Sequence, residues 1–69
     1  MLLTMLRQGE SGLISHIGGR PETKLFLENL GFVVGSPVTV VSAIGGNLIV
    51  SVKDTRVAIS REMAGKIFV

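Results

Sequence analysis

Few side chains in this sequence could bind a metal ion or move a proton. There is one histidine, His16, no cysteine, and only five carboxylates, which are scattered along 69 residues. Transition-metal ions are held by several imidazole, carboxylate or thiolate groups that converge. The nearest acids in sequence, Glu10 and Glu22, do not have the spacing of helix ligands with His16. The pattern therefore predicts a partly exposed strand histidine, with no metal site and no cofactor.

Catalysis is not indicated by the other candidate residues. His16 has no partner whose spacing supports nucleophilic or acid–base catalysis. The glycine pairs Gly18-Gly19 and Gly45-Gly46 lack the lysine and the helix start that a phosphate-binding loop requires, and turns explain them. We therefore expect a protein that is not an enzyme.

Composition also disfavours binding of nucleic acid or of proline-rich peptides. The net charge is +2, from seven basic and five acidic residues without a cluster, and the only aromatic residues are three phenylalanines. Single-stranded nucleic acids stack on aromatic platforms, and proline-rich ligands dock in aromatic-lined grooves. Contact with another protein is the function class that remains.

One helix is predicted, over residues 21–30, and it must position any such contact surface. Pro21 suits the first helical position because its missing N–H would be unpaired there in any case. At about 100° per residue, the helix places Phe26, Leu27 and Leu30 on one apolar face. We expect this face to cover one open end of a small barrel.

The same helix carries a candidate contact surface. Leu25 lies off the apolar face, and Arg20, Lys24 and Glu28 surround it. An apolar residue with a charged rim is a common layout for a small protein-contact anchor, so these four residues are candidate partner contacts. The alternative is that Leu25 packs against the apolar segment of residues 1–6, since single exposed leucines are ordinary.

The end of the helix and the turn after it are specified by small residues around an aromatic side chain. Gly31 can adopt the left-handed conformation that ends a helix, and Phe32 then folds back onto the helix. Gly35 turns the chain. Pro37 suits the first residue of a strand because it cannot donate a hydrogen bond to a neighbouring strand.

Short strands account for most of the remaining chain. We predict strands over residues 13–17, 38–43, 48–52, 56–59 and 66–69, with Gly45-Gly46 and Lys53-Asp54 as hairpin turns and Ser60 capping a helical turn over 61–65. So short a chain cannot form a sandwich of two full sheets. We therefore expect a single mainly β domain, residues 1–69, in which about five short strands curl into a small barrel with one α-helix.

The C-terminal strand suggests how the protein self-associates. Ile67-Phe68-Val69 is an apolar strand without charge or proline, and an unpaired edge of this kind favours a homo-oligomer.

The apolar runs are shorter than the roughly 18 residues of a membrane span, and residues 1–6 lack the features of a signal peptide. We expect a soluble, cytoplasmic protein.

Three motifs of the sequence resemble the FeoA family over nearly the whole chain. They are Leu6-x-x-Gly9-Glu10-x-Gly12, Leu27-x-x-Leu30-Gly31-Phe32-x-x-Gly35-x-x-Val38-x-Val40, and Val57-Ala58-Ile59-Ser60 followed by Ala64 and Ile67. The middle motif is the specific one. The resemblance implies an SH3-like β-barrel that serves as a non-catalytic accessory of ferrous iron uptake. Its partner is then the cytoplasmic GTP-binding part of the FeoB transporter, through which alone it reaches the membrane.

A second function remains open beside this one. A related domain occurs at the C-terminus of iron- and manganese-dependent repressors, where it follows a winged-helix DNA-binding region. No such region is present in this sequence, so the resemblance favours the transport accessory. The alternative is a transition-metal-binding or metal-sensing regulatory module.

Overall fold

Short strands dominate the structure, as the sequence predicts. A computed structural model describes all 69 residues. The strands are β1 Ser11–Leu13, β2 His16–Ile17, β3 Pro37–Ile44, β4 Asn47–Val52, β5 Thr55–Ser60 and β6 Ile67–Phe68. The helices are α1 Pro21–Asn29 and α2 Arg61–Ala64, and a 3₁₀ turn spans Leu3–Met5. Neither helix is long and apolar enough to cross a membrane.

The larger sheet has four antiparallel strands in the order β1-β3-β4-β5. Both predicted hairpin turns are present. Gly45 has a φ of 58° in the β3–β4 turn, and Lys53 and Asp54 have φ values of 52° and 60° in the β4–β5 turn. Positive φ at both central residues, as at Lys53 and Asp54, or at the first one alone, as at Gly45, fits the twist of a two-residue hairpin. The register next to each turn therefore follows from local turn chemistry.

The inner face of this sheet supplies most of the core. Leu48, Val50 and Val52 alternate along β4 and are buried, as are Val38 and Val40 on β3. The pairing of β3 with β4 shifts by one residue after Val40, which is the geometry of a β-bulge. The predicted alternation, with one buried side, is confirmed.

A second sheet forms from β2 and β6, and it interrupts the strand predicted over residues 13–17. That prediction was wrong in its continuity: β1 ends at Leu13 and β2 begins at His16. Between them the buried Ile14 donates its N–H to the Ser36 carbonyl and accepts from the Gly35 N–H. Because Ile14 pairs with the 35–36 turn, the chain leaves the four-stranded sheet after β1 and pairs with β6 in β2. The alternation of apolar residues in the sequence does not reveal this change of partner.

β6 is paired on both sides, so the expected free edge at Ile67–Val69 is not present. Phe68 pairs with His16 of β2 on one side and with Leu2 on the other. The Val69 N–H also donates to the Met1 carbonyl at 2.7 Å. The reason given for self-association at this strand is therefore wrong. The edge strands of the four-stranded sheet are β1 and β5.

One cluster of 13 buried apolar residues joins the two sheets and the helices. It includes Leu27 of α1, Ala64 of α2 and Ile67 of β6. The two sheets enclose this core together, although their hydrogen bonds do not close into one continuous barrel. Phe32 is fully buried after α1, as predicted.

The C-terminal end of α1 and the N-terminal end of α2 form as the sequence predicts. Gly31 has a φ of 109°, and its N–H donates to the Glu28 carbonyl while the Phe32 N–H donates to the Leu27 carbonyl. This is the Schellman arrangement, which pairs helical carbonyls that are otherwise unbonded. At α2, the Ser60 hydroxyl accepts from the Met63 N–H at 3.2 Å and caps the helix.

Candidate functional site

Helix α1 buries a narrower face than the sequence predicts. Leu27 is fully buried, and Thr23 and Leu30, at four and three residues from it, are half-buried. Phe26 is 50% exposed, so its predicted place in the buried face was wrong. A nine-residue helix that meets the core along one line of contacts leaves a residue 100° from that line at the surface.

Leu25 lies on the side of α1 opposite the core and is 59% exposed. At this exposure, any contact with residues 1–6 leaves most of the Leu25 side chain at the surface. Glu28 is exposed one turn further along, and Lys24 is half-buried on the flank between them and the core. Arg20 is exposed just before the helix, where its side chain makes no cap. We call Arg20, Lys24, Leu25 and Glu28 the α1 surface.

A groove of about 320 Å³ runs along one flank of the α1 surface. Its lining residues come from β2, from α1 and from the connection to β3: His16, Ile17, Lys24, Glu28, Val33 and Val34. Lys24 and Glu28 are four residues apart and thus lie one above the other on the helix. The groove therefore combines a cation, an anion and an imidazole with apolar side chains from the other wall.

The turn after α1 builds the apolar wall of this groove. Gly31 reverses the chain at the helix end, and the Ser36 N–H then donates to the Val33 carbonyl while Gly35, with a φ of 92°, pairs with Ile14. These bonds hold residues 33–34 beside the helix, and Val34 is exposed there. Val33 and Val34 were not predicted as site residues. Their only signal was two valines between two glycines outside any strand alternation.

His16 is an exposed residue of β2, as predicted for a strand histidine. Its ring lies against the Phe68 ring across the strand pair, with 5.4 Å between centroids. The acid that shares its groove is Glu28, and not Glu10 or Glu22. Glu10 instead accepts a hydrogen bond from the Arg7 N–H at 2.6 Å. His16 and Glu28 thus line the same groove, which could not be predicted from their spacing in the sequence.

The groove adds no third ligating residue to His16 and Glu28. No three His, Asp or Glu side chains lie close enough together to hold a metal ion. His16 and Glu28 offer one nitrogen ligand and one carboxylate, whereas protein sites for divalent transition metals usually supply three or four ligands.

The comparisons with known proteins place the chain in a family. The model of the FeoA domain matches residues 1–69. A search of curated protein sequences gives no significant match. The crystal structure of an iron uptake regulatory protein (FeoA) is 25% identical, with a TM-score of 0.89 over 97% of this chain and 91% of that one.

Two further solved structures show the same architecture. A FeoA from Stenotrophomonas maltophilia complexed with zinc, described as a procaryotic SH3 domain protein, is 27% identical, with a TM-score of 0.85 over 99% of this chain and 87% of that one. A manganese-dependent transcriptional repressor is 21% identical and shares the fold, with a TM-score of 0.91 over this whole chain and 40% of the repressor.

The SH3-like architecture expected from the sequence is thereby confirmed. The family match covers every residue from the first strand to the last, including the helix, the Gly31 turn and the groove. This chain belongs to the FeoA domain family.

Proposed function

We propose that this chain is a cytoplasmic, non-catalytic accessory of ferrous iron uptake that binds the cytoplasmic GTP-binding part of a FeoB-type transporter. Family membership supports this role. So does the Stenotrophomonas maltophilia relative, which is described as a candidate bacterial ferrous iron transport activating factor. The contact is made by the α1 surface. The observation that carries it is Leu25, an exposed leucine on the outer side of α1 with charged neighbours of both signs.

The α1 surface has the composition of a small contact site. Leu25 supplies the apolar anchor, and full burial of a leucine is worth about 1.5–3 kcal/mol, so covering its exposed part contributes on the order of 1–2 kcal/mol. Arg20, Lys24 and Glu28 form a charged rim that sets orientation and the rate of association more than affinity. The adjoining groove offers Val34 as a second apolar contact.

The test is binding of the transporter's soluble cytoplasmic domain to a double variant, Lys24→Glu with Leu25→Glu. We expect the affinity to fall by about 10- to 30-fold, since the variant removes the anchor and reverses one rim charge. Titration calorimetry measures the affinity, and circular dichroism checks that the fold is retained.

Ile44→Glu is the matched control. Ile44 is as exposed as Leu25, at 66% against 59%, but lies at the β3–β4 hairpin. We expect it to bind like the unmodified chain. Equal affinity of the double variant and the control would contradict the proposed surface.

A second candidate function is a transition-metal-binding or metal-sensing module. It is favoured by the presence of His16 and Glu28 in the lining of one groove and by the zinc complex of the Stenotrophomonas maltophilia relative. Under the accessory proposal, anaerobic titration shows no stoichiometric ferrous binding at micromolar concentration. Micromolar binding that is lost in His16→Ala and kept in the control Glu10→Ala would establish the metal-binding function instead.

A further inference from the structure

Strand β5 presents a free hydrogen-bonding edge. Val52 and Thr55 flank the two-residue turn and form a hydrogen-bonded pair, so alternate residues from Thr55 onward bond to β4. The Arg61 N–H continues this alternation by donating to the Gly46 carbonyl. The N–H and C=O groups of Arg56 and Ala58 therefore point away from β4.

Nothing in the chain covers this edge. The backbone groups of Arg56 and Ala58 have no partner among the hydrogen bonds of turns, loops and caps. Both residues are exposed, and β5 has extensive contacts only with β4 and α2. The strand has no proline and no bulge, two of the devices that usually protect an edge, and Arg56 is its one charged residue. By contrast, β6 is paired on both sides.

We propose that the β5 edges of two copies of this chain pair antiparallel about a two-fold axis at Ala58. The two four-stranded sheets then join into one continuous eight-stranded sheet. In such a pair, residues whose backbone groups point outward must lie opposite one another. Ala58 therefore faces Ala58 of the second copy, and Arg56 faces Ser60 of the second copy.

The side chains of β5 fit this register to a second copy. The smallest one, Ala58, lies at the axis, and on the inner face Val57 lies opposite Ile59 of the second copy, which places apolar groups together. The two Arg56 residues are four positions apart across the axis. At about 3.4 Å per residue they are about 14 Å apart, beyond the roughly 8 Å screening length at physiological salt.

The charge pattern favours this register over registers whose two-fold axis lies nearer Arg56. A two-fold axis at Arg56 would place two guanidinium groups directly opposite each other, and like charges opposite each other in a sheet are destabilising. The pairing is weak, because a single pair of six-residue strands buries less than the roughly 1,200 Å² of a stable interface. We therefore expect a reversible dimer with a Kd on the order of 0.1–1 mM.

Cysteine cross-linking tests the axis directly, since the chain has no native cysteine. In Ala58→Cys the two Cα atoms of the dimer are about 5.5 Å apart, within the range of a disulfide bond. Diamide, which takes up the two electrons and two protons released by the thiols, is the oxidant. Arg56→Cys is the control, because it lies on the same strand and face but far from its symmetry mate.

We expect the Ala58→Cys chain to cross-link at least about tenfold faster than the Arg56→Cys chain, since only Ala58→Cys raises the effective thiol concentration in the dimer. Non-reducing electrophoresis measures both rates at about 0.2 mM protein. Equal rates, or a faster Arg56→Cys reaction, would overturn the proposed register.

Sedimentation without any cross-link supplies a second test. The unmodified chain should sediment faster as its concentration rises from about 20 µM to 1 mM. Ala58→Pro removes the outward N–H that the fold itself does not use, as edge strands tolerate, and should stay monomeric over this range. An unmodified chain that stays monomeric at 1 mM would overturn the proposal and leave an extended segment of another protein as the occupant of the edge.

Discussion

The β3–β4–β5 meander and helix α1 differ in how deeply their apolar side chains are buried. The meander turns one whole face inward and buries Val38, Val50 and Ile59 from its three strands. Helix α1 buries only Leu27 fully and leaves Leu25 and Phe26 at the surface. Because the sheets supply most of the core, most of the helix surface is free to contact a partner. The meander supplies about half of the buried core, and we propose that the outer side of α1 serves recognition.

Two phenylalanines on either side of the helix end give the largest expected contrast. Phe32 is fully buried, so Phe32→Ala should lower the free energy of unfolding by about 3–5 kcal/mol. Phe26 is half-exposed, so Phe26→Ala should cost about 1 kcal/mol or less. Urea unfolding followed by circular dichroism measures both. Similar losses in the two variants would show that Phe26 contributes as much to stability as Phe32, and thus that α1 packs more deeply on the core than its exposure indicates.

The Gly31 turn, which leads from α1 towards the meander, gives the next largest expected effect on the free energy of unfolding. Gly31 has a φ of 109°, and a Cβ there would lie 3.2 Å from the Lys53 Cγ, so Gly31→Ala should cost about 1–3 kcal/mol. At Gly46 a Cβ would meet nothing within 4 Å. Gly46→Ala is therefore the control, and thermal unfolding should show little change. A stable Gly31→Ala chain would mean that the cap does not fix the position of α1.

A smaller loss is expected at the cap of α2, where the meander ends. Ser60→Ala removes the hydroxyl that accepts from the Met63 N–H and should cost about 0.5–2 kcal/mol. Ser60→Asp restores an acceptor at the N-terminus of the helix and should recover most of this loss. If alanine and aspartate variants have the same midpoint of urea unfolding, the cap contributes nothing.

The smallest effect on stability is expected at Leu25. Leu25→Ala should change the free energy of unfolding by no more than about 0.5 kcal/mol, because the side chain lies opposite the core. Leu27→Ala, two residues away, should cost about 2–5 kcal/mol. Chemical denaturation of the pair compares the outer and inner sides of one helix. A large loss in Leu25→Ala would contradict the assignment of Leu25 to recognition.

The turns, helix caps and strand alternation could be predicted from the sequence because each is determined by residues that are neighbours along the chain. The hairpin turns, the Gly31 cap and the Ser60 cap each depend on four or five consecutive residues, and all of them are present. The burial of alternate residues in β4 was likewise a local pattern.

What could not be predicted depends on contacts between distant parts of the chain. Whether β6 had a free edge depended on the pairing of Val69 with Met1, and the break in the first strand depended on Ile14 bonding to residues 35–36. The groove brought together His16 and Glu28 from different elements. Phe26 was misplaced because helical periodicity does not tell how wide a face the core accepts.

The most direct test of the central claim is to map the surface of this chain that contacts its partner. The ¹⁵N-labelled protein is titrated with the cytoplasmic GTP-binding domain of a FeoB-type transporter, and the amide resonances are followed by NMR. We predict that the largest shifts fall at residues 20–30 and 33–34. Shifts confined to β5 and the β3–β4 hairpin, with the resonances of α1 unchanged, would contradict the account.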